Sequence, residues 1–107
     1  MSIIDLKEAS ARVAGDVTVF AQRLVQTPSI SGQEQDVAEL ITGEMNKLGY
    51  DEVFTDAAGN VVGIIKGSGQ CENIMFNGHM DQVDPGRLEA WEHDPYGGVI
   101  DGGYLYG

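Results

Sequence analysis

Asn73-Ile74-Met75-Phe76-Asn77-Gly78-His79-Met80-Asp81 is the stretch on which the reading of this chain turns. Ile74, Met75 and Phe76 form a short apolar run of the kind that makes a strand buried on both faces, and the run stops at Asn77-Gly78. Side chains alternate along a strand, so extended geometry carried through this segment points His79 and Asp81 the same way. An imidazole then stands beside a carboxylate at the C-terminal end of a strand, where open α/β sheets place their ligand sites. In such a pair neutral His79 offers one ring nitrogen to a divalent metal, while Asp81 accepts the N–H of the other and fixes tautomer and orientation. On spacing alone a blander reading also serves: His-x-Asp is common by chance, and an edge histidine beside an aspartate starting the loop to Pro85 accounts for it.

Upstream of this stretch, residues 60–66 carry Val61, Val62, Ile64 and Ile65 and read as a strand, as do residues 50–55. Asp56-Ala57-Ala58-Gly59-Asn60 between them reads as a turn with Gly59 and Asn60 available for positive φ. Before these lie two helices. Between about residues 5 and 26, Leu6, Ala9, Val13, Val17, Phe20 and Leu24 recur in steps of three and four, an amphipathic pattern that Thr27-Pro28 ends. The second helix opens at Ser31-Gly32-Gln33-Glu34, where Ser31 is the expected N-cap and Glu34 its capping-box partner. Its face is Val37, Ile41, Met45 and Leu48, and Gly49 is the expected left-handed stop. The order helix, helix, strand, strand, strand predicts an α/β fold in which the two helices pack on a mixed β-sheet.

Downstream of Asp81 the chain becomes irregular over a length that compact domains reserve for functional or disordered loops. Val99-Ile100 and Tyr104-Leu105-Tyr106 are expected to form a short hairpin around Asp101-Gly102-Gly103. His93 is the second of two histidines, but nothing in the sequence fixes its distance from His79. Trp91 is expected to anchor its loop, with an approach to substrate as the alternative.

At 107 residues the chain fits one domain. Its 17 acidic and 6 basic residues give a net charge of −11. No basic stripe exists to neutralise phosphates, which argues against nucleic acid as a partner. The acidity suits a divalent-cation site or simply solubility. Cys71 is the single cysteine, so no internal disulfide forms, as expected of a reducing cytoplasm. Neither a secretory signal nor an apolar stretch of membrane-spanning length is present, and the expected location is cytoplasmic.

Five segments together resemble one family: residues 27–34 (Thr-Pro-Ser-Ile-Ser-Gly-Gln-Glu), Gly59-Asn60-Val61, residues 77–83 (Asn-Gly-His-Met-Asp-Gln-Val), Trp91 with Asp94-Pro95-Tyr96, and Tyr104-Leu105-Tyr106-Gly107. It is the aminoacylase, acetylornithine deacetylase and succinyl-diaminopimelate desuccinylase family of zinc-dependent amidohydrolases and exopeptidases. The resemblance covers essentially the whole chain in the family's order and spacing. It implies that His79 is a ligand to one metal of a two-metal site and that Asp81 is the carboxylate holding its imidazole. The implied cofactors are two divalent ions, zinc with cobalt as a substitute, and the implied chemistry is metal-assisted attack on an amide or peptide carbonyl. Small peptides or N-acyl amino acids are the implied substrates. His93 falls on no ligand position of the family pattern.

Family members continue past the equivalent of Leu105-Tyr106-Gly107 into an Arg-Gly-x-x-Asp-x-Lys-Gly segment, whose aspartate bridges the metals. The remaining ligands, the general base and an inserted dimerisation domain lie further on. Residues 1–107 are therefore expected to be the N-terminal portion of a zinc-exopeptidase-type catalytic domain. A homodimeric parent is expected, and the piece alone is expected to be inactive, with apolar surface and a sheet edge exposed. The competing expectation is a non-catalytic binding module that kept the fold.

Overall fold

Ser2 and Asp5 start helix α1, Ile3–Val25, by exchanging bonds across its first turn. The Asp5 amide donates to Ser2 Oγ at 3.2 Å, and the Ser2 amide donates to Asp5 Oδ2 at 2.8 Å. The computed structural model describes residues 2–107, which fall into two compact units: the chain up to Thr27 together with Pro85–Gly107, and Pro28–Asp84.

In the first unit, α1 follows the predicted span to within a turn, and Thr27 Oγ1 closes its end on the Arg23 carbonyl at 2.7 Å. Its apolar stripe is used unevenly. Leu6, Val13 and Val17 are exposed, whereas Phe20, Leu24 and Val25 are partly buried. Near its C-terminal end, Gln22 Nε2 donates to the Gly98 carbonyl at 2.9 Å and Gln26 Nε2 to the Gly97 carbonyl at 3.0 Å. Beyond this contact lie β3, Ile100–Asp101, and β4, Tyr104–Leu105, paired antiparallel. The turn joining them has φ 57° at Gly102 and 85° at Gly103, the positive pair that a two-residue hairpin of the favoured twist requires.

In the second unit, α2, Gln35–Lys47, lies against a hairpin of β1, Glu52–Thr55, and β2, Val61–Ile64. Val37 of α2 is buried at 3% exposure, with Ile41 and Met45 partly buried on the same helical face. Gly63 is the close-approach point: a Cβ there would lie 2.6 Å from Met45 Sδ and 2.7 Å from the Tyr50 ring. Asp56 shapes the turn, Oδ1 accepting from the amides of Ala58 and Asn60 and Oδ2 from Asn60 Nδ2, each at 2.9 Å. Gly49 ends α2 at φ 78°, as expected.

Three expectations are corrected here. Residues 73–78 form no strand, and Ile74, Met75 and Phe76 are 82%, 79% and 94% exposed. Among the described residues the sheets are two separate antiparallel pairs rather than one mixed sheet. β-Propensity needs a partner ladder and a covering face to become a strand, and within this unit β1 and β2 are paired with each other. The third correction concerns Ser31, which does not cap α2. Glu34 occupies the N-cap without a side-chain cap bond, and its Oε1 accepts instead from the Gly32 amide at 2.6 Å.

Candidate functional site

Thr27-Pro28 pushes the chain out of helical geometry, and residues 29–31 then run alongside residues 80–82. The Gln82 amide donates to the Ser29 carbonyl at 2.9 Å, and the Ser31 amide donates to the Gln82 carbonyl at 3.3 Å, giving a one-residue parallel bridge between Ile30 and Gln82. Ser29, buried at 3% exposure, adds a third attachment by donating Oγ–H to the Met80 carbonyl at 2.8 Å. The segment carrying the predicted site residues is thus fixed by small polar residues fifty positions upstream, not by burial of the apolar run before it.

On this support the structure brings His79 and Asp81 together. Nδ1 of His79 lies 3.0 Å from Asp81 Oδ1 and 2.8 Å from the Asp81 main-chain oxygen. Both neighbours are acceptors, so Nδ1 carries the hydrogen and neutral His79 presents its lone pair at Nε2. The ring is 85% exposed and the Asp81 side chain 40%. Asp81 Oδ2 accepts from the Ser31 hydroxyl at 2.5 Å, the length of a charge-assisted O–H···O⁻ bond. The Ser31 hydroxyl, and after it His79, hold the Asp81 carboxyl below the usual carboxylate range.

Sequence reasoning missed Ser31 and Ser29 as parts of this site. The available signal was the extended Pro28-Ser29-Ile30-Ser31 run, in which the two serines sit two apart on one side. Of the other residues singled out, His93 packs its ring on Tyr106, centroids 4.2 Å apart. Trp91 is 39% exposed and donates Nε1–H to the Pro85 carbonyl at 2.9 Å, a bond within its own loop.

Whether these residues suit a metal is a matter of donor count. One imidazole lone pair oriented by a carboxylate fits a single ligand position, with Asp81 in the outer shell. A catalytic zinc takes three protein ligands, and among the described residues no group of three or more His, Cys, Asp or Glu side chains is gathered to hold an ion. The described residues thus offer one oriented imidazole donor and gather no larger donor set.

The chain is similar to succinyl-diaminopimelate desuccinylases: 33% identical over 95 residues to that of Methylobacterium sp. (strain 4-46) and 33% over 94 residues to that of Cereibacter sphaeroides (strain ATCC 17029 / ATH 2.4.9). These matches cover 82% and 86% of this chain but 24% and 25% of the relatives. It is also similar to the uncharacterized protein YgeY of Escherichia coli (strain K12), 39% identical over 84 residues that make up 78% of this chain and 20% of YgeY. The chain is thus related in sequence to the desuccinylases while spanning about a fifth to a quarter of the length of the curated relatives it matches. No protein-family profile matches the chain, and no solved structure does. No helix among the described residues is long and apolar enough to cross a membrane.

Proposed function

We propose that this chain is part of a metal-dependent hydrolase of amide or peptide bonds, acting on small peptides or N-acyl amino acids, with residues 1–107 as the N-terminal portion of its catalytic domain. The observation that carries the reading is the His79 ring, held through Nδ1 by Asp81 with Nε2 left to an external partner, in a chain whose named relatives include desuccinylases. His79 is the metal ligand and Asp81 the residue that orients it. When bound, two divalent ions, zinc with cobalt as a substitute, supply Lewis-acid activation of the carbonyl and of water. Residues 1–107 alone are inactive in this reading, because the described residues gather no three-ligand group. The whole protein is cytoplasmic and homodimeric, and binds neither nucleic acid nor membrane.

A second reading, a binding module that kept the fold without catalysis, is favoured by that same want of a three-ligand group. The discriminating experiment is to isolate the protein carrying this sequence from its native cell. Intact mass, bound metal and hydrolysis of N-succinyl and other N-acyl amino acids are then measured for the wild type and for His79→Ala. The hydrolase reading expects a mass several times that of 107 residues, metal-dependent hydrolysis that chelation abolishes, and loss of metal in His79→Ala. A native product of 107 residues, or full metal content in the variant, overturns it in favour of the module.

A further inference from the structure

The geometry points to Ser31 as a positioning residue that, through Asp81, holds His79 in the tautomer with hydrogen on Nδ1 and the lone pair on Nε2. Asp81 divides its two oxygens between two donors, Oδ2 to the Ser31 hydroxyl at 2.5 Å and Oδ1 to His79 Nδ1 at 3.0 Å. A carboxylate turns easily about its last torsion, which is broad and roughly two-fold, so one anchored oxygen sets the direction of the other. Without Ser31 the Asp81 plane loses that anchor, the Asp81 main-chain oxygen at 2.8 Å is left as the one fixed acceptor of Nδ1–H, and water competes for an imidazole that is 85% exposed.

The distance between Ser31 and Asp81 is itself built. The Ile30–Gln82 bridge and the Ser29–Met80 bond lock the two backbone segments on either side of the pair. None of those bonds uses the Ser31 side chain, so removing its hydroxyl leaves the frame in place. The inference reaches metal binding only through the reading of His79 as a ligand, on which that consequence rests; the tautomer itself does not depend on a metal.

The test is the ¹⁵N chemical shifts of the His79 ring in the metal-free chain at a pH where the imidazole is neutral. Wild type is expected to show a protonated Nδ1 and an unprotonated Nε2. Ser31→Ala is expected to raise the opposite tautomer by up to about fivefold, the factor that one hydrogen bond of ordinary net strength represents, with the Asp81 main-chain oxygen retaining part of the preference. Ser31→Thr, which restores the hydroxyl, is expected to return the wild-type shifts. Tautomer-averaged nitrogens in wild type, unchanged shifts in Ser31→Ala, or a threonine variant that behaves like alanine each overturns the inference. A simple loss of folding in Ser31→Ala would also erase the slow exchange of the Gln82 amide, which is expected to persist, and Ser31→Thr decides the matter independently. Failure of His79 to bind metal in the whole protein leaves the tautomer assignment standing, and an averaged tautomer leaves metal binding by His79 open, so the two claims fail separately.

Discussion

Residues 73–78 and 80–82 are neighbours in the chain and opposites in structure. The first group holds the most hydrophobic run of the central stretch, yet its side chains stand in solvent. The second holds Met80, Asp81 and Gln82 and is tied down by four hydrogen bonds with Ser29 and Ser31. Apolar composition supplies a driving force only where another surface is available to cover it, whereas a hydrogen bond from a serine defines a partner and a distance at once. The ordered half of the stretch is therefore the half that polar residues elsewhere in the chain specify.

The largest expected break in this contrast comes from Ser29→Ala. It removes the hydroxyl of a buried serine that satisfies the part-buried Met80 carbonyl, and losing a hydrogen bond of this kind costs about 1 kcal/mol. Denaturant unfolding is expected to register that loss, with faster hydrogen exchange at the Gln82 amide. A change within about 0.5 kcal/mol, the range of ordinary surface substitutions, would mean that the Ile30–Gln82 bridge alone holds the segment.

Hydrogen exchange in the wild type sharpens the comparison without any substitution. The Gln82 amide, bonded to the Ser29 carbonyl at 2.9 Å, is expected to exchange more slowly than the amides of Ile74, Met75 and Phe76, which lie outside any strand. Equal rates along residues 74–82 would remove the distinction.

What could be read from sequence divides along the same line. The helices, the Gly49 stop, the hairpin between β1 and β2 and the turn at Gly102 and Gly103 are all specified within a few residues, by apolar spacing and by glycines where φ is positive. The strand at 73–78 was not legible correctly, because its run states only that burial would be favourable, not what would provide it. Ser31 was misassigned for a related reason. Its position before Glu34 has every local mark of a cap, and the Asp81 carboxylate that takes its hydroxyl is fifty residues away. The nearness of His79 and Asp81, by contrast, is a two-residue property and was legible.

Asp56 is a second place where a carboxylate rather than an apolar run arranges the backbone, and it gives a smaller effect that pH can address. Asn60, by side chain and then amide, holds the Asp56 carboxyl below its usual range. A depressed pKa means that the stabilisation is fully present above the ordinary aspartate value of about 3.9 and is lost as pH falls through the lower folded-state value. The amide shifts of Ala58 and Asn60 are expected to titrate together with a midpoint below about 3.9. A midpoint at or above it would show that the turn stands without its carboxylate.

The smallest expected change in stability belongs to the most hydrophobic site in the contrast. Phe76 is 94% exposed, so Phe76→Ser removes almost no buried contact and is expected to alter unfolding free energy by less than about 0.5 kcal/mol. A phenylalanine whose burial within this chain stabilised the fold would cost about 3–5 kcal/mol to truncate. Exposure of Ile74, Met75 and Phe76 in one run favours association between molecules instead. Sedimentation of the wild type and the variant over a range of concentrations is therefore expected to show weaker self-association in Phe76→Ser at nearly unchanged stability. A large loss of stability would place Phe76 in a packed strand after all, and would erase the difference between residues 73–78 and the serine-held segment that follows them.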